Sequence, residues 1–180
     1  MPKPPDPRYP FPHAWDPGRY SRAYLLSGLS EAYVQQEGVR YLLEHAVWTK
    51  IVDAGGKNLR GRASGALRRS GASSQDVQNA LRGRTDACQG FPDTHGIILG
   101  IPWYVEWKKP GRIDTLGRVI SRAGTAEQSQ LDFLKEAHVQ GALVGVAWST
   151  FDLIAILGKE RIQESLQRFR ERCGLVRSHE

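Results

Sequence analysis

Apolar and polar positions along the chain change period several times, and each change marks an element. Val39, Leu42, Leu43, Ala46 and Val47 recur at the spacing of one helix face, with Ser30 placed as an N-cap, so the pattern predicts a helix over 31–47. Followed backwards by whole turns, the apolar stripe reaches Gln35 and Glu31, on or beside the core-facing side of that helix. A carboxylate there is costly unless it finds a partner, although the helix dipole also favours a plain surface glutamate at an N-terminus. The spacing alone leaves both readings open. A short strand follows over 48–52.

Two further apolar runs, 95–99 and 103–107, flank Gly100, Ile101 and Pro102 and read as a hairpin turning at Leu99 and Gly100. Positions 93 and 106 lie about equally far from that turn, so Asp93 and Glu106 are expected to face each other across adjacent strands. The strand period of two then places Lys108 on the face of Glu106 and sends Trp107 to the other. His95 shares the face of Asp93 by the same count. Three charged groups thus converge beside an otherwise apolar sheet.

Farther on, the run Thr125, Ala126, Glu127, Gln128 matches a capping box and predicts a helix to about position 138. The apolar run 142–148 reads as a strand buried on both faces, and helices are expected over 151–157 and 159–172. No internal repeat is visible. This order predicts an α/β fold: a small mixed β-sheet flanked by helices.

The 180 residues suit one domain with a real core. Residues 1–29 carry Pro2, Pro4, Pro5, Pro7, Pro10, Pro12 and Pro17 and read as an extended arm. The arm's aromatics, Tyr9, Phe11, Trp15, Tyr20 and Tyr24, are expected to pack on their own domain or on a second copy. The main domain is assigned to 30–158, with a glycine-rich basic loop at 54–90, and a terminal helix and tail to 159–180.

A net charge of +6 favours an anionic partner, and nucleic acid is the commonest one for a soluble basic protein. The basic loop concentrates that charge in Lys57, Arg60, Arg62, Arg68, Arg69, Arg82 and Arg84, against Asp76 and Asp86, with room for a short helix at 74–81. A second basic stretch holds Lys109, Arg112, Arg118 and Arg122. Arginines on a loop suit phosphate contacts, which position a nucleic acid without reading its sequence. The two cysteines, Cys88 and Cys173, build neither a disulfide framework nor a thiolate metal cluster. No apolar run is long enough for a membrane span and the N-terminus lacks a signal-peptide core, so a cytoplasmic location is expected.

Hydrolysis of a phosphodiester needs a hydroxide in line, a cation on the oxygens that gain charge, and a route for protons. Asp93 and Glu106 are placed to hold Mg²⁺, with the backbone carbonyl of Trp107 as a further hard oxygen ligand. Lys108 beside them is placed to orient the attacking water and to balance transition-state charge. Taken alone, a Glu-x-Lys on a strand is more often a solvated pair than a catalytic one. His13, His45, His138 and His179 have no metal-ligand spacing, and no serine or cysteine sits in a nucleophile motif.

The wider run carries more weight. Gly90, Phe91, Pro92 and Asp93, followed by Tyr104, Val105, Glu106, Trp107, Lys108, Lys109, Pro110 and Gly111, resembles the PD-(D/E)XK nucleases, and among them the virus-type replication-repair nuclease (VRR-NUC) domain. The resemblance spans roughly 30–157 and includes the small apolar last strand. It implies a restriction-endonuclease-like fold and a catalytic set of Asp93, Glu106, Lys108, Glu31 and Gln130, with Gln35 beside Glu31 on the first helix. A histidine is unusual in a hard-oxygen Mg²⁺ site, so His95 is expected either to hydrogen-bond around the metal or merely to pack. Gln128 is better explained by the capping box. Thr94, the long basic loop before Gly90 and the basic insert after Gly111 depart from the family's pattern.

The implied activity is a Mg²⁺- or Mn²⁺-dependent DNA endonuclease leaving 5′-phosphate ends in a bacterial or phage-infected cell. Branched DNA, especially a four-way junction, and a homodimer are the implied substrate and state, with no membrane and no other cofactor. The runner-up is a monomer acting on flaps or ends; a non-cleaving DNA-binding module on the same fold is the rival from another class.

Overall fold

The computed structural model describes residues 6–52 and 90–174. Lys57, Arg60, Arg62, Arg68, Arg69, Arg82 and Arg84, and the helix expected at 74–81, lie outside the described residues. After a short 3₁₀ turn at Pro17–Arg19 come α1 (Arg22–Ser27), α2 (Glu31–Glu44), β1 (Trp48–Ile51), β2 (Thr94–Ile98) and β3 (Ile101–Trp107). They are followed by β4 (Arg112–Ile113), β5 (Val119–Ser121), α3 (Gln128–Val139), β6 (Leu143–Ala147), α4 (Thr150–Leu157) and α5 (Lys159–Arg172).

The main sheet has the order β1-β2-β3-β6, antiparallel for its first two pairs and parallel between β3 and β6. It is the small mixed sheet flanked by helices that the pattern predicts. Leu99 (φ 51°) and Gly100 (φ 84°) form the two-residue turn between Ile98 and Ile101, and two positive φ values in sequence match the right-handed twist of the flanking strands. Leu99 accepts a conformation that costs an L-residue energy, so the turn is imposed by the strands it joins.

Alternation along β3 sorts the core. Trp103, Val105 and Trp107 face one cluster with Val34, Leu42, Leu153, Leu157 and Ile162, which α2, α4 and α5 supply. On the other face, Tyr104 meets a second cluster of Tyr9, Phe11, Leu134, Val144, Val146 and Trp148. β6 contributes to both clusters, which is why its sequence is apolar without alternation.

Four expectations need correction. The arm is not extended throughout: beyond its last proline, Pro17, Ser21 accepts the Tyr24 N–H and caps α1. The helix expected over 31–47 ends at Glu44: the N–H groups of Ala46 and Val47 bond back to Leu43 and Leu42, and Ala46 turns left-handed (φ 55°). Ala46 and Val47 therefore belong to the turn into β1, although Val47 is still buried. The helix after Gly124 begins two residues beyond the expected box, with Glu127 as N-cap and its N–H donated to Gln130 Oε1 at 2.8 Å. Gln128 instead reaches Tyr9 and Asp132. The basic insert after Gly111 is not plain loop but the β4–β5 hairpin.

From residue 6 onward the proline-rich arm lies on its own domain. Tyr9 and Phe11 are buried, and the Pro12 carbonyl accepts the Val146 N–H at 2.8 Å, so the arm covers the free edge of β6. Tyr20 donates to the buried Asp152 at 2.6 Å and Tyr24 to the Trp148 carbonyl at 2.5 Å. Asp152 also accepts from Trp148 N and Ser149 Oγ, with Arg19 at 3.3 Å as its counter-charge. Among the described residues no helix is long and apolar enough to cross a membrane.

Candidate active site

The β2–β3 ladder pairs Thr94 with Val105, so one step beyond it Asp93 faces Glu106. The contact is direct. Glu106 Oε2 accepts the Asp93 N–H at 3.3 Å, and Asp93 Oδ2 accepts the Trp107 N–H at 2.9 Å. Glu106 is completely buried, and its Oε1 accepts from Lys108 Nζ and from Gln130 Nε2. The Lys108 side chain is 12% exposed and is held from behind by its own N–H, donated to the Ala147 carbonyl at 2.9 Å.

Gln130 serves two purposes at once. Its Oε1 caps the Glu127 N–H while its Nε2 points at Glu106, so the first turn of α3 fixes a donor against the buried carboxylate. Glu31 arrives from α2. Gly38 makes this possible: a Cβ there would lie 2.1 Å from Trp107 Cη2, so the helix backbone rests against that indole. Two turns earlier on the same helix face, Glu31 Oε2 accepts the Lys109 N–H at 3.1 Å. Asp93, Glu106, Lys108, Gln130 and Glu31 are thereby joined by one chain of hydrogen bonds and backbone links.

Thr94 explains its own departure from the resembled pattern. Its Oγ1 accepts the Trp107 Nε1–H at 2.9 Å and bonds to the Val105 carbonyl at 3.2 Å, satisfying an indole with no access to water. That bond anchors the residue between Glu106 and Lys108.

The remaining expected residues sit outside this chain of bonds. Gln35 is half-buried one turn along α2, and no hydrogen bond joins it to Asp93, Glu106 or Lys108. His95 pairs with Tyr104 and packs among Phe91, Tyr104 and Trp48 at ring-centroid distances of 5.3, 6.1 and 6.3 Å. Among the described residues its buried Nδ1 finds no partner, and burial, with Lys50 nearby, pushes its pKa below the usual histidine value. A neutral, aromatic packing role follows. Lys109 and Arg112 are exposed, Arg112 lying against the backbone at Gly28.

Charge in this cluster is out of balance. Burial raises the pKa of Asp93, and Glu31 adds to that, against the Trp107 N–H and Lys108. Glu106 is pushed up to about 7 by burial and then by the charge of Asp93, against the pull of Lys108. For Lys108 burial favours the neutral amine, but Glu106, Asp93 and Glu31 together outweigh it and hold the ammonium. Three carboxylates share one cation, an arrangement that a divalent ion would relieve.

Among the described residues no three of His, Cys, Asp and Glu gather closely enough to hold an ion by themselves. Asp93 and Glu106, which face each other, offer carboxylate oxygens, the kind of ligand Mg²⁺ takes while keeping several waters. A cavity of about 370 Å³ lies elsewhere, between α1, α2 and α4, lined by Arg19, Tyr20, Tyr24, Tyr33 and Phe151 and by none of these residues.

Sequence reasoning missed Thr94, the cap at Glu127 and the β4–β5 hairpin. Asp114 and Gly117, set between short β-branched runs, were the available signal for that hairpin. Comparisons with known protein families, with curated proteins and with solved structures find no match for this chain.

Proposed function

We propose that this chain is a divalent-metal-dependent nuclease that hydrolyses phosphodiester bonds in DNA, on a restriction-endonuclease-like fold. The observation that carries the reading is Glu106: a carboxylate removed from water, facing Asp93 across a hairpin and bonded to Lys108 and Gln130. Burying an acidic pair is unfavourable for folding alone, so a non-cleaving DNA-binding module is the weaker reading. The resemblance of the 90–93 and 104–111 runs to VRR-NUC domains supports the same conclusion.

Asp93, Glu106 and the Trp107 carbonyl would hold Mg²⁺ or Mn²⁺, which polarises a phosphoryl oxygen and makes bound water a nucleophile near neutral pH. Lys108 keeps its charge at the mouth of the site. One of its three N–H bonds goes to Glu106, leaving two to orient water or contact a phosphate oxygen. Gln130 holds Glu106 in its rotamer, and Glu31, anchored on the Lys109 N–H, adds a carboxylate at the rim. The net charge of +6, with Lys109, Arg112 and the basic 54–90 segment, supplies attraction for the DNA backbone.

Branched DNA is the proposed substrate class and a homodimer the proposed state, with four-way junctions first and flaps or ends cut by a monomer second. The test offers labelled junction, flap, single-stranded and duplex DNA to the full chain, in Mg²⁺, Mn²⁺ or chelator. Metal-dependent cutting with the junction preferred supports the proposal; tight binding without any cutting leaves only the binding module.

A further inference from the structure

Beside the proposed site stands a structure built to present an apolar side chain to solvent. Leu116, at the tip of the β4–β5 hairpin, is 72% exposed. Its backbone is nevertheless held firmly. Asp114 Oδ1 accepts the N–H groups of Leu116 and Arg118 at 2.8 Å each, and the Asp114 carbonyl accepts Gly117 N–H at 3.0 Å. Asp114 N–H closes the turn onto the Arg118 carbonyl at 2.9 Å, and Gly117 takes the left-handed conformation the turn requires (φ 82°).

The hairpin also projects. Val119 and Ile120 are consecutive on β5 and so point to opposite faces, yet both are exposed. Its root is tied to the site: Gly124 N–H bonds the Lys109 carbonyl at 2.8 Å, and a Cβ on Gly124 would touch Lys108. Arg22 of α1 braces the tip through the Thr115 carbonyl. Arg112, Arg118 and Arg122 are all exposed around it, and the one acid in the hairpin, Asp114, has its carboxylate turned to the turn's own N–H groups.

We propose that this hairpin is a wedge that inserts Leu116 into the base stack of branched DNA, while its arginines hold the flanking phosphates. The inference rests on the nuclease reading for its choice of partner. Two copies of such a face would set arginine against arginine, which disfavours self-association through the tip. An apolar side chain among cations suits a nucleic acid, whose stacked bases lie between lines of phosphates. Branch points are where unstacking costs least. Leu116 is eight residues from Lys108, so it reaches at most about 28 Å from it. At an axial rise of about 3.4 Å per nucleotide, the cut would fall within roughly eight nucleotides of the branch point.

The test places a fluorescent adenine analogue at the branch point of a synthetic four-way junction, binds it to the full chain with Ca²⁺ in place of Mg²⁺, and reads the emission released by unstacking. Wild type should raise the emission, Leu116→Phe should preserve the rise, and Leu116→Ala should lose it. Leu116→Ala should also weaken junction binding about tenfold while leaving linear-duplex binding unchanged. No rise in wild type, an equal rise with Leu116→Ala, or a dimer that Leu116→Ala dissociates would each overturn the wedge. The readout needs no catalysis, so the two proposals fail separately. A wild type that unstacks junctions but never cuts in Mg²⁺ sinks the nuclease reading alone; one that cuts without unstacking sinks the wedge alone.

Discussion

Asp93 and Glu106 hold each other in place through the backbone. Glu106 accepts the Asp93 N–H at 3.3 Å, and Asp93 accepts the N–H of Trp107, the next residue after Glu106, at 2.9 Å. Each carboxylate is therefore positioned by the hairpin itself, and the repulsion between them persists because neither is free to swing away. The energetics of the site follow from this closeness.

The first consequence concerns stability against pH in chelator. Glu106 titrates near 4.5 when ordinary and at about 7 in the fold, raised by burial and then by Asp93. The folded state thus holds a proton that the unfolded chain has lost, and stability present below about pH 4.5 declines until about pH 7. Asp93→Asn removes the repulsion while an amide oxygen can still accept the Trp107 N–H. Its Tm relative to wild type should rise by about 5 °C between acidic and neutral pH, His95 contributing equally to both proteins. Melting curves across that range check it; a constant difference would mean the two carboxylates do not interact.

Lys108→Ala should lower cleavage by about 100-fold or more under single turnover, the scale seen when one transition-state donor is removed, with DNA affinity nearly unchanged. Unaltered cutting would take Lys108 out of the mechanism.

Gln130 separates two roles by two substitutions. Gln130→Ala loses the bonds to the Glu127 N–H and to Glu106 and should cost about 1 kcal/mol of stability along with cleavage. Gln130→Glu keeps the cap but sets a charge beside Glu106, so stability should recover more than activity. Full recovery of both would reduce Gln130 to a helix cap.

Two substitutions probe the support beneath the site. Thr94→Val leaves the buried Trp107 Nε1–H without its acceptor and should cost about 1–3 kcal/mol in a denaturant titration. Gly38→Ala forces a Cβ to 2.1 Å from Trp107 and should push α2, and Glu31 with it, away from Lys109. A Gly38→Ala protein as stable and as active as wild type would contradict the placement of that helix.

Counting from a two-residue turn was enough to place residue 93 opposite 106, because a hairpin's register depends on little besides the turn. Periodicity likewise located β6, α4 and α5, whose patterns are long or strongly apolar. What stayed hidden depended on tertiary contacts. Thr94 acts through an indole thirteen residues away, and nothing local marks it. The helix cap moved from Thr125 to Glu127 because Gln130, not Gln128, faces Glu106. α1 was hidden because it is only six residues long and follows a proline-rich stretch, whereas the packing of the arm was signalled by its aromatics, of which Tyr9 and Phe11 are buried. The β4–β5 hairpin, with two and three residues per strand, is too short for periodicity to register.

The most direct test of the central claim is single-turnover cleavage of a labelled four-way junction by wild type and by Asp93→Asn and Glu106→Gln, each in Mg²⁺ and in chelator. The account predicts cutting by wild type in Mg²⁺ only, and loss of cutting in both variants with junction binding retained. Cutting that survives in chelator, or in either variant, would contradict it.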